Sequence, residues 1–379
     1  MQFARHLVVA AALAATLPSC SSSVPAAPEE RRVVSIDVRP HHNRLALLAA
    51  GGPRGVRQLV ANPHDTRGRP VERPVTWSSD SGAVRVDAAG RVSLSGLSGP
   101  GLVWARSAGV AGAAAVCPLI YENDFEDDAP GPLTRQALDA GWNSPTGVSG
   151  LDRASIVTGA GARGGKSLKV VFPRGGVGPA QGGALWVMPL GGSYQELYAS
   201  YDVRFGPGFD FALGGKLPGL AGGQQNTGGN RPHGRDGWSA RGMWLAGGRL
   251  IQYVYHPDQA GNFGDGMAWT QDGRDVYALP DRWYHVEHRV VMNTPGRRDG
   301  IVQAWLDGVL VMDRRGVRFR DVPSFAIEAF HFTTFFGGNE PGFAARRDEA
   351  VYFDNVVIST FRIGPSSAVA VPECQPDGE

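Results

Sequence analysis

Glycine and proline recur along the whole chain, and this limits its fold more than any other feature of the sequence. The 379 residues include 53 glycines and 27 prolines, which together exceed a fifth of the chain and follow no repeat period. Both residue types are disfavoured inside helices and favour tight turns. No amphipathic helix longer than about three turns is evident. We therefore expect an all-β protein built from many short strands.

The charge balance excludes one class of partner. Charged residues make up 19% of the chain, and the formal net charge is +1. A nucleic-acid-binding protein needs a basic face over most of a domain, which this composition does not provide. Local basic clusters can still bind an acidic polymer.

The first twenty residues are predicted to be a targeting segment. Arg5 and His6 precede an apolar run, Leu7 to Leu17, that is too short to span a bilayer as a mature helix. The run leads into Leu-Pro-Ser-Cys at 17–20, which resembles a bacterial lipoprotein cleavage box with Cys20 as the acylated residue. A plain secretory signal is the alternative. We expect a signal peptide at 1–20, a tether at 21–31, and an exported cell-envelope protein that meets the membrane only through its lipid.

Two further cysteines, Cys117 and Cys374, remain after the proposed processing. In an oxidising compartment they can form a disulfide, which would join the domain junction to the C-terminal tail at 365–379. Two free buried thiols are the alternative.

Residues 32–119 are predicted to form a small β-sandwich. The expected strands are Val33–Val38, Gln58–Ala61, Val75–Ser78, Val84–Val86, Arg91–Leu94 and Leu102–Arg106. The segments Val-Thr-Trp-Ser-Ser-Asp at 75–80 and Gly-Leu-Val-Trp-Ala at 101–105 resemble bacterial Ig-like domains of group 2, which act as spacers or adhesion modules. We expect Trp77 and Trp104 to pack in the core rather than to bind sugar.

Residues 120–364 are predicted to form a larger antiparallel jelly roll, a concanavalin-like sandwich. Segments 122–128 and 351–358 are expected to be edge-region strands that pair with each other. The other predicted strands are Ser167–Phe172, Leu197–Phe205, Gly237–Leu245, Leu250–His256, Trp283–Met292, Ile301–Leu306, Val309–Asp313 and Ala326–Phe336. We expect a monomer.

Two segments of this domain carry candidate chemistry. Lys216 follows two glycines and precedes Leu-Pro-Gly, so the backbone there can approach a ligand closely beside a mobile positive charge. A lysine that only caps a surface turn is the alternative. Further along, Ser239 and Arg241 share one face of a strand, and Tyr253 and Tyr255 share one face of the next.

The turn between these two strands decides whether the four side chains meet. A two-residue loop at 247–248 would send both tyrosines to the face opposite Arg241. A three-residue loop at 246–248 pairs Arg241 with Tyr253 and Ser239 with Tyr255 on one face. A functional site therefore requires an odd loop or a compensating bulge.

Together these motifs resemble polysaccharide lyase family 14 from about Asp124 to Thr360. The resemblance rests on Gly-Gly-Lys-Leu-Pro-Gly-Leu at 214–220, Ser-x-Arg at 239–241, Tyr-x-Tyr at 253–255, Phe-Phe-Gly-Gly at 335–338 and Tyr-Phe-Asp at 352–354. It implies a jelly roll that cleaves alginate or a related polyuronate such as glucuronan by β-elimination. It places Lys216, Ser239, Arg241, Tyr253 and Tyr255 on active-site positions. A tryptophan expected near Phe343 is absent.

These residue types fit β-elimination, in which the C5 proton of a uronate is removed and the O4-linked sugar leaves. Arg241 can bind the carboxylate in bidentate fashion, and Lys216 adds a second positive charge. We expect these cations to lower the tyrosine pKa values, which favours Tyr253 or Tyr255 as the base. Lys216 as the base is the competing assignment.

Several other residues have weaker assignments. Gln224, Gln225, Asn226 and His256 are candidates for binding the substrate. No cofactor is required, although Glu126 and Asp354 could join a structural calcium site near the paired termini. His285 and His288 lie three apart on a predicted strand and point to opposite faces, so a metal site there is not expected.

The main hypothesis is an enzyme, a polysaccharide lyase acting on an acidic polysaccharide. The alternative is a carbohydrate-binding or adhesive surface lipoprotein without turnover. A sandwich glycosidase would need two carboxylates flanking the scissile bond, and none accompany the cationic cluster.

Overall fold

A computed structural model describes residues 31–49, 55–97, 99–159, 162–338 and 340–365. The prediction of an all-β protein is confirmed, since the described residues form 26 strands and only short helices. The N-terminal strands are β1 Ser35–Arg39, β2 His42–Ala49, β3 Val56–Gln58, β4 Val60–His64, β5 Thr76–Ser79, β6 Val84–Val86, β7 Arg91–Leu94, β8 Gly101–Ser107 and β9 Val110–Asn123.

The elements that follow build the larger sandwich. They are β10 Gly131–Pro132, α1 Arg135–Gly141, β11 Thr146–Ser149, β12 Ala154–Thr158, β13 Lys166–Phe172, α2 Gly178–Gln181, β14 Gly183–Tyr194, β15 Glu196–Phe205, β16 Gly214–Gly223, β17 Gly237–Leu245, β18 Leu250–Tyr255, β19 Asp265–Ala268, β20 Thr270–Gln271, β21 Arg274–Asp275, β22 Trp283–Val291, β23 Gly300–Leu306, β24 Val309–Val317, β25 Ile327–Phe336 and β26 Glu349–Ser359. Each strand predicted between 167 and 336 overlaps an observed one.

Two antiparallel sheets face each other in this sandwich. The front sheet has the order β11-β14-β25-β16-β17-β18-β19, and the back sheet contains β10-β12-β13-β26-β15-β22-β23-β24. Large side chains fill the space between them, including Trp142, Trp186, Trp238, Trp244 and Trp269, all fully buried. Because alternate residues of a strand point to opposite faces, the other face of the front sheet remains available for a site.

The predicted pairing of the domain's first and last segments is confirmed, but one detail of it is wrong. β9 and β26 are antiparallel, with Asn123 opposite Val356. However, β26 is not an edge-region strand, because β13 pairs with one side of it and β15 with the other. Its residues are almost all buried, as expected for a strand in the interior of a sheet.

The N-terminal strands enclose a separate core, which contains Val38, Leu45 and Val103 among others. Trp77 packs against this core as expected. Trp104 does not, because Val103 and Ala105 on either side of it face the core and its own ring lies outward beneath Arg106. The Ig-like assignment stays a prediction. The expected boundary at 119/120 falls inside β9, which both parts share.

The predicted signal peptide and most of the C-terminal tail lie outside the described residues. Cys20 and Cys374 lie there, so acylation and the disulfide stay predictions, while Cys117 is buried on β9. Among the described segments, none of the helices has the length and apolar character needed to cross a membrane.

Candidate active site

The hairpin of β17 and β18 has the odd loop that a site requires. Ala246–Gly248 forms a three-residue 3-10 turn, and the Leu245 N–H donates to the Arg249 carbonyl at 2.7 Å across its base. Gly247 has φ 69°, a left-handed conformation suited to glycine. Arg241 therefore lies opposite Tyr253 and Ser239 opposite Tyr255, as predicted.

The core side chains show which face these residues occupy. Ala240 on β17, Leu220 on β16 and Phe330 on β25 lie in register and all belong to the core between the sheets. The residues that follow them on β17 and β25 must point the other way. Arg241 consequently lies on the outer face of the front sheet, with both tyrosines of β18.

Lys216 lies on the same face in the middle strand, β16. Only glycine fits at position 215, immediately before Lys216, because a Cβ there would lie 2.0 Å from the Trp244 ring. Lys216 as a whole is 8% exposed. Its ammonium donates to Met243 Sδ and to the Gly337 carbonyl, each at 3.2 Å. Burial, together with the charge of Arg241, lowers the pKa of Lys216 from 10.5 to about 7. The alternative, a lysine that only caps a surface turn, is therefore excluded.

Arg241 is a second buried cation. It is 2% exposed, and its Nε has no hydrogen-bond partner. Burial lowers the pKa of Arg241 to about 10. Among the described residues, neither Arg241 nor Lys216 forms an ion pair with a carboxylate. Two cations without a counter-charge in a buried setting are costly unless an anion binds between them.

The two tyrosines complete the cluster. The Tyr253 ring centroid lies 4.6 Å from Lys216 Nζ and 5.9 Å from Arg241 Cζ. Its ring is perpendicular to that of Tyr255, and the two hydroxyl oxygens are 3.5 Å apart. Tyr255 is buried, and its hydroxyl accepts from the Gly229 N–H at 3.1 Å.

The expectation that the cations lower the tyrosine pKa values is wrong for Tyr253. Its pKa is raised well above 10, first by burial and then by the hydrogen bond with Tyr255. Arg241 acts in the expected direction, but its effect is smaller than that of burial. Desolvation disfavours the charged phenolate just as it disfavours a charged lysine.

The other candidate polar residues differ in their burial and in their hydrogen-bond partners. Ser239 is fully buried and donates to the Asn226 carbonyl at 2.8 Å. Asn226 is itself buried and donates to Asp236 at 2.9 Å, so its amide supports the loop. Gln224 is exposed and Gln225 half-buried. His256 bonds Asp265 at 3.0 Å.

His331 belongs to this face and was not predicted. It lies on β25, opposite Gly219 of β16, and is 3% exposed. Burial and, after it, the positive charge of Arg241 lower the pKa of His331 well below 6.5. The signal was present in the sequence, since a histidine between Phe330 and Phe332 must face away from a core that receives both rings.

The calcium prediction stays untested. Asp354 accepts hydrogen bonds from Ser167 Oγ and the Asn355 N–H, while Glu126 accepts from the Lys166 N–H. Burial, with the nearby negative charges of Asp202 and Glu126, raises the pKa of Asp354 to about 8. In the described ranges no three metal-binding side chains cluster suitably. His285 and His288 have separate partners, Asp202 and Gln252.

Known structures share this architecture. Alginate lyase Aly36B has 26% sequence identity and a TM-score of 0.56, over 65% of this chain and 98% of that one. The PL-14 alginate lyase from Aplysia kurodai has 23% identity and a TM-score of 0.55, over 64% and 99%. Alginate lyase vAL-1 from a Chlorella virus has 26% identity and a TM-score of 0.50, over 58% and 93%. A search of the curated proteins found no match.

The sequence also matches a family model. The model described as Polysaccharide lyase 14 matches residues 160–356, which is more than half of the chain and includes the whole cationic cluster with both tyrosines. This match agrees with the resemblance carried by the lysine and tyrosine motifs. The chain belongs to polysaccharide lyase family 14 and is a polysaccharide lyase.

Proposed function

We propose that this lyase cleaves a uronate polysaccharide, with alginate as the first candidate, by β-elimination. The observation that carries the proposal is the pair of buried basic side chains, Lys216 and Arg241, that have no carboxylate partner in the described part of the chain. A uronate supplies the missing negative charge at the reacting sugar. Variants of Aly36B have been solved with alginate tri- and tetrasaccharides, which supports this substrate class.

Arg241 binds the uronate carboxylate in this proposal. Removing the C5 proton places additional negative charge on that carboxylate, so a fixed guanidinium stabilises the transition state more than the ground state. Tyr253 lies within 6 Å of both cations and closes the site on one side. The low exposure of the cluster strengthens each of these interactions.

The opposite pKa shifts assign the base and the acid. Lys216, with a pKa of about 7, has a neutral amine available near neutral pH and takes the C5 proton. The electron pair of the C5–H bond forms the C4=C5 double bond, and the C4–O4 bond breaks. Tyr253 keeps its proton because burial raises its pKa, so it can protonate the departing O4. The Lys216 ammonium then releases the proton taken from C5, and the Tyr253 phenolate recovers one, which returns both groups to their starting states.

Ser239 and Tyr255 hold the site in place in this mechanism. The Ser239 hydroxyl ties β17 to the loop at Asn226, and the Gly229 N–H fixes the Tyr255 hydroxyl beside Tyr253. A defined position for the acid matters, because small displacements of reacting groups are costly in rate.

The test is turnover of defined polymers. The purified protein should produce unsaturated uronate ends from alginate, seen as rising ultraviolet absorbance, with glucuronan and polygalacturonate as comparisons. Lys216→Ala should lower kcat by at least about 1,000-fold, since it removes the base. Lys169→Ala is the matched control, because Lys169 lies on β13 of the back sheet beside Tyr352.

Binding of these polymers by the folded protein without any product would instead support the non-catalytic surface lipoprotein. Equal activity of the Lys216→Ala and Lys169→Ala variants would refute the assigned base.

We further infer that the protein is exported and anchored through Cys20. This inference rests on the sequence at 1–28 alone, where a short apolar run, a lipoprotein-like box and a Ser/Pro/Ala-rich segment follow one another.

A further inference from the structure

His331 is a buried side chain on the outer face of the front sheet, and the mechanism above does not use it. Phe330 and Phe332, its neighbours on β25, stack in the core against Trp142 and Trp186. His331 therefore points to the opposite face. Arg241 occupies the same face two strands away, with Gly219 of β16 in register between them.

Neither nitrogen of the His331 imidazole has a hydrogen-bond partner among the residues that the structure describes. Other buried histidines differ in this respect: His256 bonds Asp265, His285 bonds Asp202 and His288 bonds Gln252. Buried polar groups are almost always paired, and an unpaired ring N–H is a substantial cost to the fold. A ligand that accepts this N–H removes that cost when it binds.

Arg241 and His331 flank Gly219 on the outer face of the front sheet. Neighbouring strands are about 4.8 Å apart, so the backbones of β17 and β25 are separated by about 10 Å. A carboxylate placed over β16, which presents no side chain at Gly219, is within reach of both side chains. The nearby positive charge of Arg241 favours a negatively charged acceptor.

We infer that His331 is a substrate-binding residue whose ring N–H donates to the uronate carboxylate from the side opposite Arg241. The inference rests on the proposed function for the identity of the anion. The imidazole stays neutral in this role, because burial and Arg241 hold its pKa well below 6.5. It therefore supplies a directed hydrogen bond without adding a third positive charge.

Variants at His331 test the inference through kinetics. His331→Ala should lower kcat/KM on the polyuronate by about 100-fold, with most of the loss in kcat, because the carboxylate gains charge in the transition state. His331→Gln keeps an N–H donor and should recover about tenfold of that loss. In both variants the acid limb of the pH profile should lie at the same pH as in the wild type, because a neutral His331 does not titrate in that range.

His288→Gln is the matched control. His288 is an equally buried neutral imidazole in the core, but it bonds Gln252 and does not face the site. Its variant should lose thermal stability while kcat/KM of the folded protein changes less than about threefold. If His331→Ala has the same kinetic profile as His288→Gln, His331 is only structural and the inference is wrong.

A binding measurement separates this inference from the proposed function. In the Lys216→Ala background, His331→Ala should weaken binding of a saturated alginate tetrasaccharide by at least about tenfold in calorimetry. If the wild type turns over none of the polyuronates, the proposed function is wrong. The calorimetric measurement would still show whether His331 contributes to binding the tetrasaccharide. Wild-type turnover with unchanged binding and kinetics in the His331 variants would defeat only the inference.

One further measurement needs no substitution at His331. The ring ¹⁵N resonances of His331 in the Lys216→Ala protein should shift when the tetrasaccharide is added, because one N–H gains an acceptor. Ring resonances of His288 should not move. Unchanged His331 resonances at saturating tetrasaccharide would overturn the assignment even if every His331 variant failed to fold.

Discussion

Burial changes the protonation of Lys216 and Tyr253 in opposite directions. Desolvation favours the uncharged form of any ionisable group, so it lowers the pKa of the ammonium and raises that of the phenol. Near neutral pH a substantial fraction of Lys216 and nearly all of Tyr253 are then uncharged. A neutral amine accepts a proton and a neutral phenol donates one, so a single physical cause prepares the base and the acid.

The pH dependence of kcat/KM follows from these shifts. Lys216 must be unprotonated to act as base, so kcat/KM should fall about tenfold per unit as the pH drops below about 7. Tyr253 must be protonated, and its pKa is raised above 10, so the alkaline limb should begin only beyond that value. Profiles of kcat/KM from about pH 5 to 10 check both limbs.

Lys216→Arg serves as the control for this pH profile. It keeps the positive charge but has no accessible neutral form, so it should be inactive across the range. A wild-type kcat/KM that is equal at pH 5.5 and pH 8 would contradict the role of Lys216 as base.

The burial of individual side chains explains which properties of the site residues the sequence could not predict. The five site residues were identified from their motifs, but the sequence alone does not show that Tyr253 is half-buried or Lys216 almost fully so. The predicted tyrosine pKa shift was therefore wrong in sign. His331 was missed because a single histidine in an aromatic strand carries no motif, although its alternation with Phe330 and Phe332 fixed the face.

At the level of elements, periodicity and turn residues predicted well where side chains are large. The register of β17 and β18 follows from the three-residue loop that the sequence allowed. Glycine-rich strands were harder to predict. Neither β16 nor β14 is among the predicted strands, because glycines and prolines such as Pro189, Gly191 and Gly192 interrupt their patterns. Neighbouring strands, not intrinsic propensity, hold such segments extended.

Gly219 gives an element-level prediction, because β16 has an irregularity between Lys216 and Gly219. A Cβ at Gly219 would lie 2.1 Å from the Ala240 carbonyl oxygen and 2.6 Å from Arg241 Cα. Gly219→Ala must therefore push β17 aside and displace Arg241. We expect a loss of about 2 kcal/mol in unfolding free energy and at least tenfold in kcat/KM.

Gly247→Ala is the control for this substitution. Gly247 has a positive φ but open space around the added Cβ. It should cost about 1 kcal/mol of backbone strain and leave kcat/KM unchanged. Denaturant unfolding and steady-state kinetics measure both variants, and equal kinetic losses would show that the displacement of Arg241 is not the cause.

At the scale of the whole molecule, β9 joins the two parts of the chain. Its first half pairs with β8, its middle with β2 and its end with β26 of the back sheet. A small hydrophobic cluster covers the junction, in which Ala46 and Leu119 pack against Tyr198, Trp305 and Val357. Composition placed a domain boundary here, but it could not show that the boundary lies within a continuous strand.

The proposed anchor is tested on the intact chain. Cells making the wild-type protein with a labelled fatty acid should incorporate the label and retain the protein in the membrane fraction. Cys20→Ser should abolish labelling and leave the protein soluble or unprocessed, with kcat/KM unchanged because the site lies elsewhere. Labelling that persists in Cys20→Ser, or is absent from the wild type, would exclude the anchor and leave a plain secretory signal.

The shared strand also determines how mechanical load travels through the protein. A pull along β9 from its N-terminal end is parallel to β26, so the hydrogen bonds between Asn123, Glu122 and their partners are sheared together rather than opened one by one. Shear loading of a strand pair resists extension far better than peeling. In the proposed anchored form, drag on a polymer bound at the front sheet would therefore pass to the lipid anchor along the backbone of β9.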